Sequence, residues 1–323
     1  MRRYLAGRLL QAVGVVFLVT TLTFVLVHLA PGDPIAVAFE RPGIPEAVRQ
    51  QWRESFGLDR PIGEQYARWI ANATRGELGY SFSHRQPVRD VLLDALPRSI
   101  VLSGLAIVFS FGIGIILGLI QAERVGGRRD RWLGRVLLLL YSVPDFWLGL
   151  VMLLLFAYRL PLLPAGGIVD PVMHDYLSAW GRTLDRLAHL ALPVATLTLV
   201  TVPLIARYQR AALLNALPSD WMRTALAKGL SWRGAVRRHA LRNALLPTIT
   251  LAGLALPSVA AGTVFVEKVF SWPGMGLVTV NAIAARDYPL LTAGVMAISV
   301  LVVVGALLAD LAVAAVDPRI RVG

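Results

Sequence analysis

The sequence predicts an all-α protein that crosses a membrane several times. Hydrophobic residues make up 56% of the chain and charged residues only 16%, whereas soluble domains carry about 25% charged residues. Six nearly uncharged stretches also have the length of about 20 residues that a helix needs to cross a hydrocarbon core of roughly 30 Å. Because no water satisfies the backbone at that depth, each stretch is expected to be helical. We therefore expect a polytopic membrane protein with six transmembrane helices.

The six predicted spans follow one another along the chain and occupy residues 9–30, 99–120, 136–157, 187–206, 244–266 and 288–309. Only the third span contains a formal charge, Asp145, and Pro144 beside it predicts a kink. The first stretch is longer than the apolar region of a signal peptide, and no small-residue cleavage pattern follows it. It is therefore expected to be a retained helix.

The distribution of basic residues predicts the orientation of the spans. With the N-terminus inside, the cytoplasmic segments contain 18 Lys and Arg, while the two short outer loops contain 5. This asymmetry predicts that both termini are cytoplasmic. The net charge of +12 is thus explained by topology, and nucleic acid is not an expected partner.

The sequence provides little for catalysis or metal binding. It contains no cysteine and five scattered histidines, so no disulfide framework, thiolate nucleophile or metal site is expected. The phosphate-binding pattern Gly-x-x-x-x-Gly-Lys-Ser/Thr is absent. We expect no catalytic residue and no cofactor in this chain.

Three parts are expected along the chain. Residues 1–30 form the cytoplasmic N-terminus and first span, and residues 31–98 are long and apolar enough to form an outer helical subdomain. Residues 99–323 form a five-helix transmembrane core that includes the cytoplasmic loop 207–243.

The loop 207–243 is long enough for two short helices divided by a glycine. Ser219 is a candidate N-cap of the first helix, Gly229 is a natural stop, and Ser231 can cap the second. The helical period places Trp221, Ala225, Leu226 and Gly229 on one side. Such a helix is suited to lie in a groove of another protein. The alternative is an interfacial helix whose arginines, Arg233, Arg237, Arg238 and Arg242, contact anionic lipid.

Few polar side chains lie in or next to the predicted spans. A carboxylate at the depth of Asp145 must face protein or water, so this residue either lines a passage or pairs structurally with a neighbour. Glu267, at the end of the fifth span, is a candidate gate or interface residue, and we include both carboxylates as candidate pathway residues. The aromatic residues Phe270, Trp272 and Tyr288 could bind a peptide, but a membrane-interface belt is the more usual role.

The order of several short motifs resembles the inner-membrane permease subunits of ATP-binding-cassette importers, specifically the dipeptide, oligopeptide and nickel type. The resemblance covers nearly the whole chain. It rests on Pro31-Gly-Asp-Pro34, Gly57-Leu-Asp-Arg-Pro61, Gly76-Glu-Leu-Gly-Tyr-Ser81, Leu163-Pro-Ala-Gly-Gly167, Arg223-Thr-Ala-Leu-Ala-Lys-Gly229, His239-Ala-Leu-Arg-Asn-Ala-Leu-Leu-Pro247, Phe270-Ser-Trp-Pro-Gly-Met-Gly276 and Asp317-Pro-Arg-Ile-Arg321.

The resemblance implies the type I importer permease fold with a cytoplasmic coupling helix that docks on an ATPase. In this family the helix carries the signature Glu-Ala-Ala-x-x-x-Gly. Ala225 and Gly229 match it here, while Arg223 and Thr224 replace the first two positions, as is usual in the peptide and nickel branch. The implied docking residues are Asp220, Trp221, Arg223, Thr224, Ala225, Ala227, Lys228, Gly229 and Leu230.

The implied function is that of a non-catalytic subunit that forms half of a translocation pathway for short peptides in a bacterial inner membrane. Nickel and glutathione-like solutes are alternative substrates. The implied partners are a second homologous permease, two ATP-binding subunits that hold ATP and Mg²⁺, an extracytoplasmic solute-binding protein and membrane lipid. A proton-coupled secondary transporter is a different reading, but the chain shows no inverted repeat. An intramembrane hydrolase is a third reading, but the chain shows neither a nucleophile motif nor paired membrane aspartates.

Overall fold

The computed structural model describes residues 2–29, 59–261 and 263–316, with side chains described for 7–29, 59–255 and 263–311. Residues 31–58 of the predicted outer subdomain, which include the motif at 31–34, lie outside these residues, and so does the motif at 317–321. The described chain is mainly helical, with one short antiparallel pair in which Tyr80 of β1 (Tyr80–Ser81) lies opposite Pro87 of β2 (Gln86–Pro87).

In chain order the helices are α1 (Arg2–Leu29), α2 (Ile62–Thr74), α3 (Val88–Glu123), α4 (Arg128–Tyr141), α5 (Asp145–Leu153, continued by the π-helical Leu154–Arg159), the 3-10 turn His174–Tyr176, α6 (Ala179–Ala216), α7 (Asp220–Ala227), α8 (Trp232–Ala235, continued by the π-helical Val236–Ala240), α9 (Leu241–Ala261), α10 (Val264–Val269), α11 (Met275–Ala284) and α12 (Tyr288–Val316).

Four of the described helices are long and apolar enough to cross a membrane: α1, α3, α6 and α12. They coincide with the first, second, fourth and sixth predicted spans. The pair α4 and α5 also qualifies if it is counted as one broken span. The predicted all-α membrane architecture is therefore confirmed.

The third predicted span, 136–157, is not one kinked helix. Its two halves, α4 and α5, are bent by 98° at the break between them. Pro144 has extended backbone angles, φ −62° and ψ 142°, and precedes the first residue of α5. Since proline has no N–H to continue the helical ladder and clashes with the preceding turn, the helix ends and restarts rather than bending gently.

The fifth predicted span, 244–266, is divided between two helices. Helix α9 runs from Leu241 to Ala261, and α10 begins at Val264. Pro247 and Pro257, which could break or bend the span, both lie inside α9 without ending it. The interruption falls after the second proline, near Thr263.

Helices α3 and α6 form the central contact of the bundle, and glycines make it possible. A Cβ on Gly114 would lie 2.6 Å from the Cβ of Ile205, and one on Gly118 would lie 2.8 Å from the carbonyl oxygen of Ala206. Small residues of this kind allow helices to approach closely in membranes. Helix α9 packs against α3, α6 and α12, and α12 in turn packs against α1.

The predicted outer end is held together by Asp287, whose side chain is fully buried just before α12. Its Oδ2 accepts hydrogen bonds from Ser81 Oγ at 2.6 Å, Ser83 Oγ at 2.7 Å and the Ser83 backbone N–H at 2.9 Å. Its Oδ1 accepts from the backbone N–H of Leu290 at 3.2 Å. One carboxylate therefore caps α12 and fastens the strand pair to it.

Candidate functional site

The predicted docking helix, α7, sits on the ends of three long helices. Met222 is 1% exposed and Ala225 is 5% exposed, and both face into the protein. They belong to a buried cluster whose other members come from α3, α6, α8 and α9: Ala122, Leu213, Ala235, Val236, Ala240 and Ala244. Helix α7 contacts α8 and its π-helical continuation directly, and the cluster links it to the ends of α3, α6 and α9.

The other side of α7 is free among the described residues. Seven of the nine predicted docking residues are exposed: Asp220, Trp221, Arg223, Thr224, Ala227, Lys228 and Gly229. Ala225 does not share this surface, in contrast to the face expected from the helical period. The reason is that Met222 and Ala225, three residues apart, form the inward stripe. Leu230 is half-buried and packs against the cluster around Met222.

The end of α7 has the geometry that the sequence predicted at Gly229. This residue has φ +86°, and the N–H of Gly229 donates to the carbonyl of Leu226 at 2.9 Å. The N–H of Leu230 donates to the carbonyl of Ala225 at 3.3 Å. These two bonds define the glycine-dependent helix stop known as the Schellman motif.

The two predicted serine caps behave differently. Ser231 accepts a hydrogen bond from the N–H of Gly234 at 3.2 Å and so caps α8 as expected. Ser219 stands at the N-cap position of α7, but its side chain makes no capping bond. Its hydroxyl donates to the carbonyl of Ala216 at 2.6 Å. The Ser219 side chain therefore satisfies a carbonyl at the end of α6 and not an N–H at the start of α7.

Glu123, at the end of α3, fastens the remainder of the loop. Its carboxylate pairs with Arg237 at 2.7 Å and with Arg233 at 3.5 Å. The indole N–H of Trp232 donates to the Glu123 carbonyl at 3.1 Å. Two arginines of the predicted basic stripe are therefore engaged with protein.

A second charged contact, which sequence reasoning missed, joins α4 to α6. Asp130 is 6% exposed and accepts a bidentate pair from Arg210, with Nε to Oδ1 at 3.0 Å and Nη2 to Oδ2 at 2.9 Å. Gln121 of α3 and the backbone N–H of Gly126 donate to the same carboxylate at 3.2 Å and 2.9 Å. Because Asp130 and Arg210 lie 80 residues apart, no local sequence pattern predicts this ion pair.

Glu267, the first candidate pathway carboxylate, accepts hydrogen bonds from other parts of the protein on both of its oxygens. It is fully buried, and its Oε2 accepts from the backbone N–H of Leu277 at 2.8 Å. Its Oε1 accepts from the hydroxyl of Ser99 at 2.9 Å, and Ser99 in turn accepts from the N–H of Met275 at 2.8 Å. A carboxylate placed at the first turn of a helix satisfies its free donors and favours its dipole, so Glu267 caps α11 from outside that helix.

Two glycines of the motif 270–276 make room for this carboxylate. A Cβ on Gly274 would lie 2.4 Å from Ser99 Oγ and 2.6 Å from Glu267 Oε1, and one on Gly276 would lie 2.9 Å from Glu267 Oε2. The aromatic residues of the same motif are buried, with Phe270 at 1% and Trp272 at 2% exposure. Neither ring belongs to a membrane-interface belt. Residues 270–276 therefore enclose the buried carboxylate of Glu267. The two glycines on either side of Met275 are the sequence signal that could have indicated this close packing.

Asp145, the second candidate pathway carboxylate, opens α5 immediately after the 98° bend. It is half-buried, and its Oδ1 accepts a hydrogen bond from the backbone N–H of Phe146 at 2.7 Å. The ring of Phe146 lies 6.2 Å from that of Phe265 at the start of α10. The structure does not bring Asp145 and Glu267 together as hydrogen-bonded or ion-paired partners. Within the described chain, no three His, Asp or Glu residues form a group able to hold a metal ion.

A bundle of long apolar helices indicates a multi-span membrane protein. Residues 114–322 match the family described as binding-protein-dependent transport system inner membrane component, and residues 1–103 match the N-terminal part of the same kind of component. The chain belongs to this family and has the type I permease fold of ATP-binding-cassette importers.

Full-length relatives support the same membership. The chain is 37% identical over 325 residues to a putative peptide permease protein of Brucella ovis, with 100% of both chains covered. It is 35% identical over 322 residues to an oligopeptide transport system permease protein of Bacillus subtilis, covering 99% of this chain and 100% of the relative. It is also 33% identical over 318 residues to the dipeptide transport system permease protein of Escherichia coli K12, covering 94% of each. The chain is thus a multi-pass inner-membrane subunit of a transport system.

Proposed function

We propose that this chain forms half of the translocation pathway of an ATP-driven importer of short peptides. The substrate class is supported by the relatives named above as dipeptide and oligopeptide permeases. A second homologous permease would complete the pathway, two ATP-binding subunits would hold ATP and Mg²⁺, and an extracytoplasmic solute-binding protein would deliver the peptide. The chain contributes no catalysis, and both of its termini lie in the cytoplasm, as the excess of basic residues in the inner segments predicts.

The observation that carries the coupling role is the position of α7. Its exposed side includes Arg223 and Lys228, while Met222 on the opposite side packs with residues of three long helices. An ATPase that binds the exposed side of α7 can therefore move the ends of α3, α6 and α9 together. Such a movement shifts the transport subunit between inward-open and outward-open states only because nucleotide binds those states with different affinity.

Of the two candidate pathway carboxylates, Asp145 retains this role in our proposal. Its carboxylate is half-buried at the start of α5 and accepts one backbone hydrogen bond, so it has acceptor capacity left for the amino group of a peptide. Glu267 uses its oxygens on Ser99 and Leu277. It acts by holding α11 in place.

The docking of α7 is tested with two matched glycine variants. Gly229 and Gly126 both have positive φ, +86° and +73°, and at neither would a Cβ meet a described atom within 4 Å. Gly229→Glu and Gly126→Glu therefore introduce the same side chain with similar backbone strain, on α7 and on another predicted cytoplasmic turn respectively. The complete transporter is reconstituted in vesicles, and ATP hydrolysis and dipeptide uptake are measured together.

We expect Gly229→Glu to abolish most of the uptake that accompanies ATP hydrolysis, because its side chain stands on the docking surface. Gly126→Glu should retain both activities. Equal uptake by the two variants, each present in the membrane at the wild-type level, would contradict the docking of α7.

A further inference from the structure

Helix α4 has an exposed basic side whose charges are unpaired within the described chain. Arg128, Arg131, Trp132 and Arg135 recur at the helical period and are all exposed, Trp132 at 63%. The three arginine side chains make no ion pair or hydrogen bond with the described residues. An open recess of about 690 Å³ on this side is lined by Arg128, Arg129, Arg131, Trp132, Leu133 and Arg135.

The opposite side of α4 faces the protein and contains the acidic residue of the helix. Asp130 is the one carboxylate in the sequence of α4, and it is held by the two hydrogen bonds from Arg210. It therefore does not neutralise the exposed side. Arginines three or four residues apart on a helix repel one another, so an external anion bound between Arg128, Arg131 and Arg135 would relieve this repulsion.

The packing of α4 against α6 shows where the exposed arginines lie relative to the membrane. Asp130 pairs with Arg210, which follows the predicted span 187–206, while Leu137 packs with Val202 inside that span. Residue numbers rise along α4 as those of its partners fall along α6, so the two helices run antiparallel. The first two turns of α4 therefore lie next to the predicted hydrocarbon boundary, and the turns that follow lie within it.

The order of side chains along the exposed side matches this boundary. Tryptophan prefers the level of the lipid headgroups, and Trp132 stands among the arginines. Leu139 follows Arg135 by one turn on the same side and is 66% exposed. A guanidinium binds a phosphate group through two parallel hydrogen bonds, and basic clusters beside a membrane span attract anionic lipids.

We propose that Arg128, Arg131, Trp132 and Arg135 form a binding site for the phosphate group of an anionic phospholipid, whose acyl chain lies along Leu139. The lipid would fix the first two turns of α4, which are separated from α5 by the 98° bend. This inference goes beyond the proposed function, because it does not depend on the solute that is transported.

The test removes two of these arginines from the full-length chain. Arg131→Gln with Arg135→Gln takes two charges, four residues apart, from the exposed side of α4. Arg238→Gln with Arg242→Gln is the matched control, because these arginines are also exposed, four residues apart and unpaired within the described chain. Each chain is titrated in a neutral detergent with phosphatidylglycerol, phosphatidylcholine or inorganic phosphate, and the bound molecules are counted by native mass spectrometry.

We expect Arg131→Gln with Arg135→Gln to bind phosphatidylglycerol at least about tenfold more weakly than the wild type, and the control pair to stay within about twofold. Phosphatidylcholine should bind the wild type more weakly, because its choline group neutralises the phosphate. Equal losses in the two variants would indicate diffuse attraction and refute the site. Inorganic phosphate that binds as tightly as phosphatidylglycerol would refute a lipid as the ligand.

A second variant tests the role of the guanidinium groups. Arg131→Lys with Arg135→Lys keeps both charges but loses the planar pairs of donors. We expect its affinity for phosphatidylglycerol to lie between those of the wild type and the glutamine variant. Affinity equal to that of the wild type would refute recognition by the arginine forks.

A protein partner on the same side of α4 is the competing explanation. The complete transporter is therefore also purified from membranes that contain Arg131→Gln with Arg135→Gln, and its subunits are quantified. We expect the full set of subunits at the level found with the wild type. Loss of the ATP-binding subunits, together with unchanged binding of phosphatidylglycerol, would assign this surface to a protein contact and overturn the proposal.

Discussion

The packing around the buried carboxylate of Glu267 gives the sharpest stability prediction. The substitution that tests it is Gly274→Ala. Gly274 has φ −95° and ψ −176°, which is extended backbone that alanine adopts without strain. The added Cβ, however, would lie 2.4 Å from Ser99 Oγ and 2.6 Å from Glu267 Oε1. The effect of this substitution is therefore steric, and it acts on the hydrogen bonds of these two side chains.

The size of the effect follows from the bonds that must move. Ser99 would have to give up its 2.9 Å bond to Glu267 or its 2.8 Å bond from Met275. A hydrogen bond to a charged group contributes about 1.5–3 kcal/mol and a neutral one about 0.5–1.5 kcal/mol. Gly274→Ala should thus lower the free energy of unfolding by about 0.5–3 kcal/mol, depending on which of the two bonds is lost.

Gly104→Ala is the matched control. Gly104 lies in α3, and a Cβ there would meet no described atom within 4 Å. Alanine in a helix is about 1 kcal/mol better than glycine, so this variant should be as stable as the wild type or slightly more stable. Both variants are unfolded by sodium dodecyl sulfate titration in a mild detergent. Equal stability of Gly274→Ala and Gly104→Ala would refute the packing around the buried carboxylate of Glu267.

Three further substitutions test other contacts. Asp130→Asn should destabilise the chain by about 1.5–3 kcal/mol, because the partly exposed Arg210 guanidinium loses its charged partner; restoration of stability by the additional change Arg210→Gln would support the pairing, and an unaffected single variant would exclude it. Asp145→Asn should leave the unfolding transition near that of the wild type but reduce uptake of peptides with a free amino group relative to N-acetylated ones; unchanged uptake of both would remove Asp145 from the pathway. Gly229→Ala should be destabilised by about 1–2 kcal/mol from its positive φ alone, and a variant as stable as the wild type in the same titration would contradict the helix stop.

The transmembrane architecture was largely predictable because membrane insertion depends on length and composition. The spans around α1, α3, α6 and α12 needed no tertiary information. The third span shows the limit of this reasoning. Its apolar run is continuous in sequence, but the missing N–H of Pro144 allows the 98° bend between α4 and α5. The angle depends on the neighbouring helices, which a hydropathy pattern does not contain.

The sites were predictable where the signal was local. Gly229 ends α7 as expected, because helix termination depends on a few adjacent residues. The hydrogen bonds of Glu267 could not be predicted because its partners are far away in sequence, with Ser99 separated by 168 residues. Ala225 was placed on the docking surface because an eight-residue helix offers more than one apolar stripe, and tertiary contacts decide which stripe is buried.

The most direct test of the account is the isolation of this chain with its natural partners. The tagged chain is purified from its native membrane in mild detergent, and the proteins that accompany it are identified by mass spectrometry, with the Gly229→Glu variant in parallel. We expect a second permease with both forms, and ATP-binding subunits with the wild type but at a reduced level with the variant. A chain that is recovered alone and still moves solute when only a proton gradient is applied would contradict the assignment to an ATP-driven importer.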